Sequence, residues 1–103
     1  MTGARFEWDE AKNLSNQRKH DGVRFEDARE VFHDPLHVSV QDRIEGGEQR
    51  WQTVGSVQGL VILGVAHTVT EEDDDGGSVE IIRIISARRA TPRERRRYEN
   101  ENG

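Results

Sequence analysis

The sequence predicts an α+β fold, with two N-terminal helices, a four-stranded antiparallel sheet and a C-terminal helix. Three observations predict it. Apolar residues recur at helical spacing before Pro35, and in alternating or short continuous runs after it. The strand-like segments follow one another with short joins, which favours an antiparallel meander. A helix start signal, Thr91-Pro92-Arg93-Glu94, then closes the strand region.

The elements follow in order. Residues 9–20 read as a helix, with Asp9 as N-cap and Asp21-Gly22 as the stop. Lys12, Asn16, Lys19 and His20 fall at helical spacing on one polar face. Phe25, Ala28 and Phe32, with Val31 beside them, predict a short amphipathic helix. Asp34-Pro35 ends it, because a residue before proline is pushed out of the helical region. Residues 37–43 alternate loosely, as an edge strand does. Residues 48–57 and 59–68 read as a hairpin turning near 56–59. The run at 60–66 is apolar on both faces and predicts a central strand. Residues 71–78, E-E-D-D-D-G-G-S, read as a solvated loop within a second hairpin. Residues 79–86 form a second two-sided apolar strand, interrupted by Arg83. The last helix runs from Pro92 to about Tyr98.

At 103 residues the chain is expected to form one small domain. Its mean hydropathy of −0.90 limits the core. With no cysteine, disulfides, thiolate metal sites and Cys nucleophiles are excluded. The N-terminus lacks the apolar stretch of a signal peptide, and the run at 60–66 is too short to span a bilayer, so a cytoplasmic protein is expected. The charge is segregated. Residues 1–87 carry nine Lys and Arg against seventeen Asp and Glu; residues 88–103 carry six arginines against three glutamates. A basic tail on an acidic chain points to a polyanion or an acidic protein partner.

Arg83 interrupts V-E-I-I-R-I-I and is expected to share a face with Ile81 and Ile85. A buried arginine there must find an anion. The anion is either a carboxylate, with Glu48 the first choice, or a phosphate. Arg88 and Arg89 lie between a strand end and a helix start; they read either as a solvated basic turn, the plainer reading, or as a phosphate site where backbone N–H groups and guanidiniums act together. Four histidines occur, and none pairs in a zinc spacing; Pro35 separates His33 from His37. His67 follows the central strand and is expected to face the same cleft as Arg83. Gly46-Gly47 and Gly76-Gly77 are turn residues rather than phosphate loops. The acidic run lacks the ligand spacing of a calcium loop.

One ordered set of motifs spans residues 6–98. It begins with F-E-W-D at 6–9, Lys12, Asn16, K-H at 19–20, F-x-x-A at 25–28 and F-x-D-P at 32–35. It continues with D-R at 42–43, E-x-R-W at 48–51, Gly55, R-I-I-S-A-R-R-A-T at 83–91 and E-R-R-R-Y at 94–98. The set resembles BrnT, the toxin half of the BrnT–BrnA type II toxin–antitoxin modules. Arg24, where the family tends to have a small residue, and the long acidic stretch at 71–78 are departures outside the motifs. The resemblance implies a RelE/ParE-like fold and a ribonuclease that stops translation. It also implies a BrnA-like antitoxin with a ribbon-helix-helix DNA-binding part, which neutralises the toxin and represses the operon with it.

Cleavage of RNA without a metal or cofactor needs a base for the 2′-OH, stabilisation of the phosphorane charge and an acid for the leaving oxygen. Arg83 and Arg88 are the candidates for the charge, supported by Arg50 and Arg89. His67 leads the acid–base candidates, followed by Glu48, His20 and Lys19. Lys12 is an expected RNA contact. Arg93, Arg96, Arg97 and Tyr98 on the last helix are the expected antitoxin contacts, in a 2:2 complex that would suit a symmetric operator. Trp51 and Tyr98 are the candidate base stackers, although Trp8 and Trp51 read better as core or interface residues. Two other classes compete. One is a non-enzymatic module docking an acidic partner through the arginine-rich helix; the other is a nucleic-acid-binding regulator using the same helix.

Overall fold

The computed structural model describes residues 3–102. The chain runs β1 (Gly3–Glu7), α1 (Glu10–Lys19), α2 (Phe25–Glu30), a 3₁₀ turn (Val31–His33), β2 (Val38–Glu45), β3 (Glu48–Val57), β4 (Val61–Asp74), β5 (Gly77–Arg89) and α3 (Pro92–Asn102). The α+β class and the order of helices and main strands agree with the sequence reading. The sheet does not: it has five strands, mixed, in the order β1-β5-β4-β3-β2. β1 precedes the helices and pairs parallel with β5, Phe6 opposite Ile82 and Glu7 opposite Arg83. Five residues alternating once or twice carry little periodic signal, and their partner lies 76 residues away.

The acidic stretch is not a loop. Glu71 to Asp74 pair with Glu80 to Gly77, and only Asp75 and Gly76 make the turn. Gly76 takes a φ of +89°, which a side chain would strain. Backbone ladder bonds hold the ribbon without an apolar face, so hydropathy cannot reveal it.

One sheet face carries the core. Phe25, Ala28 and Val31, all fully buried, pack on Val57, Leu63, Val65, Ile84 and Ala87. Burying side chains of this size contributes roughly 1.5–3 kcal/mol each for the larger ones. Gly55 lets the 3₁₀ turn approach: a Cβ there would lie 2.8 Å from Val31 Cγ1 and 3.0 Å from its carbonyl oxygen.

α1 contributes almost no apolar surface. Asp9 caps it through Ala11 and Lys12, as expected. Two buried asparagines then dock it. β1 ends opposite Arg83, so the edge of β5 beyond it is unpaired. Asn16 fills that edge, donating to the Ala87 carbonyl (2.8 Å) and accepting from the Ala87 N–H (3.2 Å). Asn13 accepts from the Phe25 N–H at the start of α2 and donates to Glu10 and Glu26. Asn16 is therefore structural, rather than part of a solvated polar face.

α3 covers one end of the opposite face. Its predicted capping box is present: Thr91 Oγ1 accepts from the Glu94 N–H and Glu94 Oε1 accepts from the Thr91 N–H. No helix among the described residues is long and apolar enough to cross a membrane.

Candidate functional site

The second sheet face, away from α1 and α2, gathers the arginines. Residues opposite one another across the strands share a face. One row reads Arg43 (β2), Arg50 (β3), Thr68 (β4), Arg83 (β5) and Glu7 (β1). Two β-bulges make this row. In β2 the pairing jumps between Gln41 and Arg43, so Arg43 rather than Asp42 meets Arg50. In β5 Ser86 faces Ala66 but Ile84 faces His67, leaving Ile85 as the extra residue. Without that insertion Arg83 would point toward the core. Arg83 thus keeps Ile81 and Ser86 on its face, with Ile85 the extra residue of the bulge between Arg83 and Ser86. Bulges re-aim side chains in this way and are enriched beside active sites.

Arg83 is exposed, and its carboxylate neighbour is Glu7 at 3.5 Å, not Glu48. Glu48 is exposed at the start of β3, opposite Glu45, and belongs to the far side of the row. Arg50 is three-quarters covered and lies 3.9 Å from Glu45. Its Nε is buried with no hydrogen-bond partner among the described residues. Thr68, between Arg50 and Arg83, is buried.

A groove of about 270 Å³ opens beside this face, lined by Lys12, Ser15, Asn16, Lys19, His20, Ile85 and Ser86. Three of the expected site residues, Lys12, Lys19 and His20, therefore meet where the β5 bulge exposes Ile85. Ser86 belongs both to the groove and to the arginine face, so β5 joins the two. Asn16 holds this wall in place from α1. No sequence signal marks Ser86; its role follows from the bulge.

Other expected members lie elsewhere. His67 was expected in the cleft with Arg83, but its strand parity puts it on the core face, 2% exposed. Its ring packs edge-on against Phe32, with centroids 4.9 Å apart. Nδ1 lies 3.4 Å from the Thr68 carbonyl oxygen, which only an N–H can serve, so Nε2 accepts from the Thr53 hydroxyl at 2.6 Å. Burial pushes its pKa down to about 4. It cannot reach a substrate on the arginine face. Trp51 faces His67 across the ladder and lies on the same wrong side for base stacking.

Arg88 lies on the arginine face but is engaged. It grips Glu94 through two bonds of 2.6 and 3.0 Å, joining the capping box of α3 to the sheet. The hydrogen bond from Arg88 holds the Glu94 carboxyl below its usual range, against partial burial. Gly64 makes room, since a Cβ there would lie 3.1 Å from Glu94 Oε1. Arg89, the next residue, points to the opposite face and lines a groove with Val23, Val57 and Leu63. Neighbouring strand residues cannot clamp one phosphate together.

On α3, Arg93, Arg96 and Arg97 are exposed and form no ion pair among the described residues. Tyr98 is half-buried instead. Its hydroxyl donates to Asp34 Oδ2 at 2.6 Å, which raises the Tyr98 pKa to about 12. Asp34 also accepts from the Ser56 and Leu36 N–H groups. Burial opposes its charge, but the Tyr98 hydroxyl and these amides outweigh burial and hold it below the usual carboxylate range.

No curated protein matches the chain. The crystal structure of the Brucella abortus ribonuclease toxin BrnT superposes with a TM-score of 0.61 at 22% identity, over 88% of this chain and 99% of that one, which establishes the shared fold. Residues 8–94 match the family described as the ribonuclease toxin, BrnT, of type II toxin–antitoxin systems. The match takes in the groove residues of α1, the three arginines of the row and the Arg88–Glu94 pair, and the chain belongs to the BrnT ribonuclease toxin family.

Proposed function

We propose that the chain is a single toxin domain of RelE/ParE-like arrangement, an endoribonuclease that stops translation by cutting RNA without a metal ion. The observation that carries this reading is Ser86, which lines the Lys12–Lys19–His20 groove and shares a face of β5 with Arg83. Arg83 holds the scissile phosphate and takes up charge as the phosphorane forms, which is the largest contribution open to such a site. His20 exchanges protons with the attacking 2′-OH and the departing 5′-oxygen, a role suited to imidazole at neutral pH. The 2′-oxygen bonds to phosphorus as the P–O5′ bond breaks, leaving a cyclic phosphate and a free 5′-OH. Lys19 and Lys12 hold the phosphate and its neighbour. Arg50 binds the adjoining backbone.

A BrnA-like antitoxin is the proposed partner. Arg93, Arg96 and Arg97 give it a basic helix to dock on, and a dimeric antitoxin would then carry two toxins to a symmetric operator. The exposed α3 arginines, without an ion pair among the described residues, also favour the non-enzymatic docking module as a second reading.

Regulated expression without the neighbouring gene tests the proposal, following growth, total RNA and cleavage in EDTA. Wild type is expected to arrest growth and degrade RNA with EDTA present. Folded Arg83→Ala and His20→Ala proteins are expected to cut about 10²–10⁴-fold more slowly. Intact RNA with folded wild type would leave the docking module as the better reading. Full activity of His20→Ala would remove His20 from the chemistry, and activity abolished by EDTA would overturn the metal-free mechanism.

A further inference from the structure

We infer that Arg43 is a third arginine contact to the RNA backbone, and that single-stranded RNA crosses the sheet at right angles to the strands, from the groove at β5 over Arg83 and Arg50 to Arg43 at the β2 edge. This rests on the ribonuclease reading and adds the path of the substrate.

Three observations carry it. The first is the row itself, with Arg83, Arg50 and Arg43 on one face of one register line. From β5 to β2 this spans three strand spacings, roughly 14 Å, the scale of a short single-stranded stretch. The second is that two separate bulges build the row. Regular alternation would put Asp42 opposite Arg50 and turn Arg83 inward. A bulge in β2 and another in β5 correct both strands to the same face, and each delivers an arginine.

The third is Glu45. Its Oε2 lies 3.2 Å from Arg43 Nη2 and 3.9 Å from Arg50 Nε, placing a carboxylate between two guanidiniums. The buried Nε of Arg50 makes no hydrogen bond to it. A phosphate is the larger anion and offers more acceptor oxygens. It can satisfy both arginines by displacing an exposed side chain whose ion pair is worth little in water. Glu7 stands in the same relation to Arg83 at the other end. The row therefore carries removable carboxylates where phosphates would sit.

Duplex RNA does not fit this arrangement, because its phosphates follow a groove rather than a straight line of side chains on a strand row. An acidic protein segment is the competing occupant, and the experiment separates the two.

The test uses a 2′-O-methyl single-stranded oligonucleotide, which lacks the attacking hydroxyl and so binds without being cut. Its affinity for the full-length protein is followed by fluorescence anisotropy across salt concentrations. Each phosphate contact to a single strand contributes about 0.7 to the slope of log K against log salt. Arg43→Ala is expected to lower the slope by about 0.7 while the protein still cuts RNA. Glu45→Gln is expected to tighten binding at every salt concentration, since it removes the competing anion. If wild type binds and cuts RNA but Arg43→Ala keeps the full slope, the path is overturned and the ribonuclease reading stands. Unchanged RNA binding with weakened antitoxin binding in Arg43→Ala would likewise overturn it in favour of a protein occupant. A folded wild type that neither binds the oligonucleotide nor cuts RNA overturns both.

Discussion

Burial sets the protonation state of His67. In the unfolded chain its imidazole titrates near 6.5; in the fold, burial pushes it to about 4. Between these values the unfolded chain binds a proton and the folded one does not. Stability is therefore complete above pH 6.5 and falls as pH drops toward 4, by up to roughly 3 kcal/mol. The carboxylates of Glu26, Asp34 and Glu94, held below their usual range, lose their contribution only at lower pH. His67→Phe is expected to flatten stability between pH 7 and 4.5, read from urea midpoints. An unchanged midpoint shift in the variant would show that another group carries it. The same residue shows where sequence reading stops. A histidine after a central strand faces in or out by parity, and each bulge resets parity without any local signature. Arg83 stands out in the sequence as a charge among isoleucines, yet its face and its partner Glu7 depend on the bulge at Ile85 and on a strand that periodicity does not reveal. Lys12, Lys19 and His20 were legible together because helical spacing survives folding.

Elements with chemical end signals were legible. The Asp9 cap and the Thr91–Glu94 box announce their helices through side chains that serve backbone donors a few residues away. β1 and the acidic ribbon were not: β1 pairs with a strand 76 residues further on, and the ribbon's ladder has no apolar face to mark it. α1 was legible as a helix but not in its attachment. Asn16→Ala would strip the Ala87 N–H and C=O of their partners on an otherwise unpaired edge, costing about 1–3 kcal/mol for each group left unpaired. Chemical denaturation and faster hydrogen exchange at the Ala87 amide would report it. A loss below about 0.5 kcal/mol would mean that water replaces Asn16 freely. Between the 3₁₀ turn and β3, Gly55→Ala drives a methyl into Val31 and is expected to destabilise the fold by about 1–3 kcal/mol. An unchanged melting temperature would show that the turn can retreat.

The molecule measures 41 × 34 × 27 Å, and one sheet carries the core on one face and the arginine row on the other. Its class and order of main elements could be read from periodicity, and the family from ordered motifs. The division of labour between faces could not, since it depends on which helices cover which side. The β4–β5 ladder runs from the Leu63–Arg89 pair beside α3 to the Asp74–Gly77 pair at the turn, a distance of roughly 36 Å. Glu71, Glu72, Asp73 and Asp75 crowd one end; Arg93, Arg95, Arg96 and Arg97 stand near the other. Such a molecule is an electric dipole. In the field of a polyanion it feels a torque as well as a force. A polyanion would push the acidic ribbon outward and draw the arginine end inward, so a chain with a net charge of −5 can still be oriented by one.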